Sequence, residues 1–315
     1  MIRIAAAIAA LAVCTAAPAA EMTFYQLPSG AYPHDVAPAP DGTVWFSGQR
    51  QGFAGRFDPR TGRLEKIPLG PGASPHGVIV GPDGNAWLTD TGQNAIARVD
   101  ANTGAVKLFP LPADFPGANL NTPVFDRNGI VWFTGQSGVY GRVDPTSGKV
   151  DAWKAPKGRG PYGITATPAG DVWYASLAGD HIARIDTTSG EATVVEPPRK
   201  GVGPRRIWSD STGVLWVSLW NAGAIGRYDP AAKAWTTYPM PQSRSGTYSI
   251  YVDDKDRVWA TDWLANAIQR FDPKTETYTT FPSDMRGANV RQMLGRPGEA
   301  WGGESGTDRL VVIRD

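Results

Sequence analysis

The sequence predicts an all-β fold, a seven-bladed β-propeller of four-stranded blades. One observation is a tryptophan that recurs along the 315-residue chain at intervals of 42, 45, 41, 43, 43 and 42 residues. The members of this series are Trp45, Trp87, Trp132, Trp173, Trp216, Trp259 and Trp301. Such a period is typical of propeller blades. The second observation is that no segment after residue 20 spaces apolar residues helically over three turns.

The second repeat, residues 74 to 112, shows how each blade divides into strands. We expect four strands over roughly 77–80, 85–89, 95–100 and 105–110, each bounded by turn residues. Asp83-Gly84 separates the first two strands, and Asn102-Thr103-Gly104 separates the last two. Both segments suit tight turns that need a positive φ.

The two ends of the chain predict how the ring closes. The repeat around Trp301 contains only three predicted strands before the chain ends, and the third is LVVIR. Residues 22 to 28, MTFYQLP, resemble outer strands of other repeats such as AWTTYPMP. We therefore expect an N-terminal strand to complete the last blade, which leaves only short, protected sheet edges.

Residues 1–20 predict a secretory signal peptide, and residues 21–315 form the propeller domain. Arg3 precedes the apolar run IAAAIAALAVCTAA, and Ala17-Pro18-Ala19 supplies small residues for cleavage. The run is too short to span a bilayer. Cys14 is the only cysteine, so cleavage leaves no thiol for disulfides or zinc sites. We expect a periplasmic or secreted protein.

The charge balance excludes two classes of partner. The chain has 31 basic and 30 acidic residues, and removal of Arg3 makes the numbers equal. Broad binding to nucleic acid or to anionic membranes depends on clustered positive charge. We expect instead a small molecule at the mouth of the central channel, and a monomer, because a closed ring has no evident need for a second subunit.

Two rings of side chains are expected at this mouth, because the first strand of a blade begins where the second strand ends. Residues eleven before each repeat tryptophan are His34, His76, Asn121, Tyr162, Arg205, Tyr248 and Val290. Residues three after it are Gly48, Asp90, Gly135, Ser176, Leu219, Asp262 and Glu304. These positions differ between blades, so they are the candidates for function.

His34 and His76 are the predicted catalytic centre. They occupy equivalent places in neighbouring blades, where two imidazoles suit proton abstraction or metal binding. Asp90 is expected to orient His76, and Asp90, Asp262 and Glu304 offer oxygen ligands for a divalent cation. A structural alternative stays open, since a histidine at this position also satisfies local hydrogen bonds.

Five more residues are expected to contact a ligand at the same mouth. They are Tyr162, Arg205, Tyr248, Trp220 and Trp263. The two tryptophans lie four residues after a repeat tryptophan, where each forms either a flat apolar wall for a ligand or part of the core.

The stretches SPHGVIVGPDGNAWLTD, NAIARVD and NAGAIGRYD resemble the virginiamycin B lyase (streptogramin lyase) family over essentially the whole chain after the leader. The resemblance implies a propeller that opens the ester of a cyclic depsipeptide by elimination, with a histidine base, a carboxylate and Mg²⁺. His34 and His76 match the Pro-His pairs of the family. Here these pairs lie in the first two blades rather than the last two, and Ser74 replaces a family glutamate.

Three functions follow as hypotheses. The first is a Mg²⁺-assisted lyase, in which His76 removes a proton, Asp90 orients it and His34 helps to bind metal or substrate. The second is a lactonase of the gluconolactonase type, with Asp90, Asn121, Asp262 and Glu304 around Ca²⁺. The third is a non-catalytic propeller that binds a ligand or a protein.

Overall fold

The computed structural model describes residues 20–314, and these form seven four-stranded antiparallel sheets. In chain order the strands are β1 (Glu21–Gln26), β2 (Pro33–Pro38), β3 (Val44–Gly48), β4 (Phe53–Asp58), β5 (Arg63–Pro68), β6 (Pro75–Val80), β7 (Ala86–Asp90), β8 (Ala95–Val99), β9 (Val106–Pro110), β10 (Leu120–Phe125), β11 (Val131–Gly135), β12 (Val139–Val143), β13 (Val150–Lys154), β14 (Pro161–Ala166), β15 (Val172–Ser176), β16 (His181–Ile185), β17 (Ala192–Val195), β18 (Pro204–Ser209), β19 (Leu215–Leu219), β20 (Ala224–Asp229), β21 (Ala234–Pro239), β22 (Thr247–Val252), β23 (Val258–Asp262), β24 (Ala267–Asp272), β25 (Thr277–Pro282), β26 (Val290–Arg296), β27 (Glu299–Glu304) and β28 (Arg309–Arg314).

The seven-bladed all-β prediction is confirmed. Blades one to six each contain four consecutive strands, from β2–β5 to β22–β25. The predicted leader and its cysteine, Cys14, lie outside the described residues. Residues 20–314 contain no helix with the length and hydropathy needed to cross a bilayer.

Blade seven closes the ring as the sequence predicted. Its strand order is β26, β27, β28 and β1, and β1 pairs antiparallel with β28 from Glu21 opposite Arg314 to Gln26 opposite Arg309. The N-terminal strand is therefore the outer strand of the last blade.

The repeat tryptophans fill the interfaces between blades. Trp45 of blade one lies in a buried cluster with Val78 and Leu88 of blade two. Trp301 of blade seven shares a cluster with Val44 and Phe46 of blade one, so the apolar packing also runs across the closure. Burial of such aromatic rings supplies much of the apolar area that holds neighbouring blades together.

Each blade has a β-bulge near the start of its innermost strand. The pairing of the first two strands shifts register at the same place in all seven sheets of the described chain. The shifts lie between Pro33 and Val36, Pro75 and Val78, Leu120 and Pro123, Pro161 and Ile164, Pro204 and Ile207, Thr247 and Ile250, and Val290 and Met293. A bulge redirects side chains. The bulged residues include both histidines of the predicted centre.

In five of the seven blades, a hydroxyl group two residues after the repeat tryptophan bonds to the bulge. The Ser47 Oγ accepts a hydrogen bond from the Asp35 N–H at 3.0 Å and donates to the His76 carbonyl at 2.5 Å. Thr89 does the same for Gly77 in its own blade and Asn121 in the next. The equivalent hydroxyls that bond the bulge of their own blade are those of Thr134, Ser218 and Thr261.

Removal of residues 21–26 tests the closure. We expect a chain of residues 27–315 to have a lower melting temperature than one of residues 20–315, because β28 loses its outer partner and becomes an edge strand exposed to solvent. Scanning calorimetry of the two chains measures the difference. Equal melting temperatures would contradict the assignment of β1 as the strand that closes the ring.

Candidate functional site

His34 and His76 converge on the channel from neighbouring blades. Their ring centroids are 3.9 Å apart, and the residues are 2% and 5% exposed. Both lie at bulges, in β2 and β6. The repeat spacing therefore predicted this juxtaposition correctly.

A carboxylate that the sequence analysis missed is paired with His34. The His34 Nδ1 and the Asp35 Oδ1 are 2.8 Å apart, and Arg206 of blade five reaches Asp35 at 3.2 Å. The carboxylate accepts the Nδ1 proton of a neutral His34, which leaves Nε2 as the unprotonated nitrogen. This is the arrangement of an imidazole base oriented by an acid. The sequence instead predicted that Asp90 orients His76.

His76 is held by an amide instead. The Asn121 Nδ2 lies 3.2 Å from the His76 Nε2, and the Thr122 hydroxyl donates to the Asn121 Oδ1 at 2.9 Å. The amide nitrogen is thus the donor to His76, whose Nε2 is the acceptor. The His76 Nδ1 is buried and has no hydrogen-bond partner within residues 20–314.

Both imidazoles are uncharged at neutral pH. Burial lowers the pKa of His34 well below 6.5, and the positive charges of Arg291, Arg206 and Arg205 lower it further. Burial likewise lowers the pKa of His76 well below 6.5, and a charge on His34 would add to this effect. The centre consequently offers proton acceptors rather than imidazolium ions.

The ring residue of blade seven is Arg291, not the predicted Val290. Trp301 pairs with Leu294, seven residues earlier, whereas Trp259 of blade six pairs with Tyr251, eight residues earlier. The hairpin formed by the first two strands of blade seven is thus one residue shorter than that of blade six. Counting eleven residues back from Trp301 therefore reaches Val290, the residue just before the bulge. Val290 instead belongs to an apolar cluster of residues from blades six and seven.

Tyrosines and arginines form the opposite wall of the mouth. The hydroxyl oxygens of Tyr162 and Tyr248 are 3.0 Å apart. Arg205 Nη2 donates to the Tyr162 hydroxyl at 2.7 Å, and Arg291 Nη1 donates to the Tyr248 hydroxyl at 3.2 Å. Three of the residues predicted to contact a ligand therefore lie together, with Arg291 as an addition to the predicted set.

The two predicted tryptophans stand beside this wall. Trp263 stacks on Tyr248 with the ring centroids 4.4 Å apart and the planes 3° from parallel. The Arg205 guanidinium lies 4.9 Å from the Trp220 ring centroid. Both tryptophans are partly exposed, so they offer apolar surface as well as packing.

The predicted cation ligands are Asp90, Asp262 and Glu304. Within residues 20–314 they do not form a group with the spacing of metal ligands, so the structure does not bring them together as predicted. The Asp90 Oδ1 accepts three backbone N–H groups at 2.8 to 3.1 Å, and the Asp262 Oδ1 accepts three at 3.0 to 3.2 Å. Glu304 is paired with Arg309 at 2.6 Å. Each carboxylate thus stabilises a loop or a strand end of its own blade.

One group of residues within 20–314 has the spacing of metal ligands. It consists of His34, Asp35 and His76, with ligand atoms within 4.8 Å of one another. Mg²⁺ and Ca²⁺ prefer several oxygen ligands. This group offers one carboxylate, which already bonds to Arg206, and two imidazoles. The donor set therefore does not fit either cation.

Comparison with known sequences decides the family. The sequence model of the virginiamycin B lyase family matches residues 6–138 and 71–315. The chain belongs to the virginiamycin B lyase family. The resemblance of the repeat sequences is thereby confirmed. No curated protein matches the chain significantly.

Several solved structures share the fold. The selenomethionine-substituted virginiamycin B lyase from Staphylococcus aureus is 22% identical with a TM-score of 0.86, over 94% of this chain and 99% of that one. A catalytically inactive histidine-to-alanine variant of that lyase, with quinupristin, gives the same values. YCF48 bound to D1 peptide is 15% identical with a TM-score of 0.74, over 93% and 97% of the two chains. At these identities the likeness shows the fold alone.

The neutral histidines make stability depend on pH. The unfolded chain protonates His34 and His76 near pH 6.5, whereas the folded chain does so only at lower pH. Stability that is complete above pH 6.5 is therefore lost as the pH falls toward the folded pKa. Each histidine contributes a loss of up to about 1.4 kcal/mol for every pH unit in this interval. Urea unfolding on both sides of pH 6.5 measures the loss.

We expect the double variant His34→Gln/His76→Gln to lose less stability over this pH interval than the wild type. His181→Gln, which removes the histidine of β16, is the control and keeps most of the effect. An identical loss in the wild type and the double variant would contradict the assignment of neutral imidazoles.

Tyr248 is expected to ionise near pH 8. Burial alone would raise its pKa, but Arg205, Arg206 and Arg291 outweigh burial and lower it to about 8, while the pKa of Tyr162 is raised to about 12, mainly by burial. Ultraviolet titration of tyrosinate should show one group near pH 8 that Tyr248→Phe removes. Tyr174→Phe, a buried residue of β15, is the control. A first ionisation near pH 10 would contradict this prediction.

Proposed function

We propose that this protein is a lyase that opens a cyclic ester, of the depsipeptide type, by elimination at the channel mouth. The observation that carries the proposal is the His34–Asp35 pair, a neutral imidazole oriented by a buried carboxylate, in a member of a lyase family. Proton abstraction next to a carbonyl needs such a base.

His34 is the base in this mechanism. Its Nε2 accepts the proton from the carbon adjacent to a carbonyl, and the C–H electron pair forms a carbon–carbon double bond. The C–O bond of the ester breaks, and its electron pair stays on the departing carboxylate. Asp35 holds the imidazole and stabilises the imidazolium that forms, and Arg206 fixes Asp35 from across the channel.

His76 has a positioning role rather than the role of base that its motif suggested. Its Nε2 already accepts the Asn121 amide hydrogen, so the lone pair is engaged. Its ring lies against His34 and fixes the direction in which the His34 Nε2 points.

Arginines supply the positive charge that the sequence analysis assigned to Mg²⁺. Arg205 and Arg291 stand on the tyrosine wall and are partly exposed. Fixed donors aimed at a developing negative charge are worth several kcal/mol in a water-poor site. Trp220 and Trp263 hold the apolar part of the substrate.

We also propose that the protein acts as a monomer in the periplasm or outside the cell. This rests on the leader predicted in residues 1–20 and on the ring closure by β1. Export of the full chain and N-terminal sequencing of the product test the location, and size-exclusion chromatography with light scattering tests the monomer.

The reaction is tested by mass spectrometry of cyclic depsipeptides and lactones incubated with the purified protein. Elimination opens the ring without a change in mass and creates a double bond. We expect His34→Gln to lower kcat by roughly a hundredfold or more, the usual contribution of a general base. His181→Gln should retain activity. Full activity in His34→Gln would refute the assignment of the base.

Other outcomes point to the remaining functions. A product heavier by one water indicates a lactonase. Recovery of every depsipeptide and lactone unchanged indicates a binding propeller.

Activity should persist after treatment with EDTA, because the donor set does not fit Mg²⁺ or Ca²⁺. Loss of activity that Mg²⁺ restores would overturn the role given to the arginines.

A further inference from the structure

In five of the seven blades of residues 20–314, the outer strand supplies an aromatic ring that stacks on the repeat tryptophan. The ring centroids are 5.4 to 6.0 Å apart, and the planes are within 29° of parallel. The pairs are Trp87–Phe109, Trp132–Trp153, Trp216–Tyr238, Trp259–Phe281 and Trp301–Tyr25. Stacking of this kind is a favourable arrangement of aromatic rings.

Blade four has no ring at this position. Its outer strand places Val195 opposite Ile182, where blade two places Phe109 opposite Ile96. Trp173 is 4% exposed, whereas each of the other six repeat tryptophans is at most 1% exposed. Trp173 therefore lacks the stacked ring that covers most of its counterparts.

The recurring arginine does not replace the ring in blade four. Blade one also lacks an outer-strand ring, but there Arg56 lies 5.5 Å from the Trp45 ring centroid and donates to a carbonyl of blade two. Arg184 is the equivalent residue of blade four. It bonds to Asp171 of its own blade, and its side chain is 56% exposed.

A cavity of about 690 Å³ lies between blades four and five, where the ring is missing. Trp173, Val195 and Tyr228 line it, and the Trp173 and Tyr228 ring centroids are 5.8 Å apart. Its volume is that of a small-molecule site. The turns that follow β14 and β18 also line it, so it lies at the end of these strands away from the channel mouth.

One residue of this cavity has a hydrogen-bond donor without an acceptor. The Trp173 Nε1 is buried and has no partner within the described residues. In blades three, five and six the equivalent indole donates at 2.8 to 2.9 Å to an aspartate six residues earlier. Thr167 takes that place in blade four, and its hydroxyl accepts a backbone N–H of its own turn. Trp87 also lacks an acceptor, but Phe109 and Phe125 cover its ring.

The charged residues around the cavity balance one another. Asp171 and Arg184 form an ion pair at 2.6 Å, and Asp229 and Lys233 line the same space. Two acidic and two basic side chains create no excess of either sign, so the cavity does not favour an ion. Thr193 adds a neutral polar side chain. The ligand that these groups complement is uncharged.

We propose that this inter-blade cavity binds a neutral aromatic molecule that carries a hydroxyl or carbonyl oxygen. Its ring takes the place that Phe109 occupies in blade two, and its oxygen accepts the Trp173 N–H. The site is separate from the channel mouth and does not depend on the proposed lyase reaction.

Phenol is the probe, and isothermal titration calorimetry of the purified protein measures its binding. Toluene has nearly the same shape without the oxygen and is the matched ligand. We expect phenol to bind at least about tenfold more tightly, because toluene leaves the Trp173 N–H unsatisfied. In a ¹H–¹⁵N spectrum, phenol should move the indole resonance of Trp173, which is identified by its absence in Trp173→Phe.

Val195→Phe supplies the missing ring from the chain itself. We expect this variant to lose phenol binding and to melt at a higher temperature than the wild type, because the new ring fills the cavity. Val194→Phe is the control and should keep phenol binding, since successive residues of a strand point to opposite faces and Val194 does not line the cavity. Dispersed indole resonances show that each variant is folded.

Several outcomes would overturn the site. They are the absence of phenol binding, equal binding of phenol and toluene, phenol binding that survives in Val195→Phe, and equal loss of binding in Val195→Phe and Val194→Phe. Movement of other indole resonances while that of Trp173 stays fixed also overturns it, because phenol then binds elsewhere. None of these outcomes bears on ring opening at the channel mouth.

Discussion

A hydroxyl group that serves two blades is the interaction on which the channel mouth depends. A bulge interrupts the ladder of its sheet, and a backbone N–H that is buried there costs about 1–3 kcal/mol when it stays unsatisfied. Ser47 and Thr89 satisfy this group in their own blade and bond to the carbonyl of the next bulge. Thr134 and Ser218 form the same links from blade three to blade four and from blade five to blade six. Blades four and seven have Ala175 and Gly303 at this position, so the links join neighbouring bulges in parts of the ring only.

The residues at the bulges differ between blades, and this difference divides the mouth into two halves. Blades one to three present His34 and His76, whose neutral imidazoles accept protons, together with the polar partners of these histidines. Blades four to seven present tyrosines and arginines. The bond from Arg206 to Asp35 joins residues 171 positions apart in the chain and connects the two halves. Burial lowers the pKa of both histidines, and the positive charge of the other half lowers it further.

Repeat spacing predicted the fold, the ring closure and the meeting of His34 with His76, because these follow from position along a strand. It did not predict side-chain direction. Asp35 was missed because a bulge turns two successive residues toward the channel, and Arg291 because one hairpin is a residue shorter. Asp90 was predicted to orient His76, but its carboxylate accepts hydrogen bonds from loop N–H groups at the end of its strand instead. The recurring pattern of tryptophan followed two residues later by serine or threonine was the available signal for the bulges.

The closure of the ring by β1 has a consequence for the order of folding. Thr23 and Arg314 form a hydrogen bond although they lie 291 positions apart, so the last blade is complete only when these two distant segments meet. Contacts between such distant residues slow folding. Until β28 is in place, the first strand has no partner in its sheet. We therefore expect closure of the ring to follow the pairing of neighbouring strands within blades one to six.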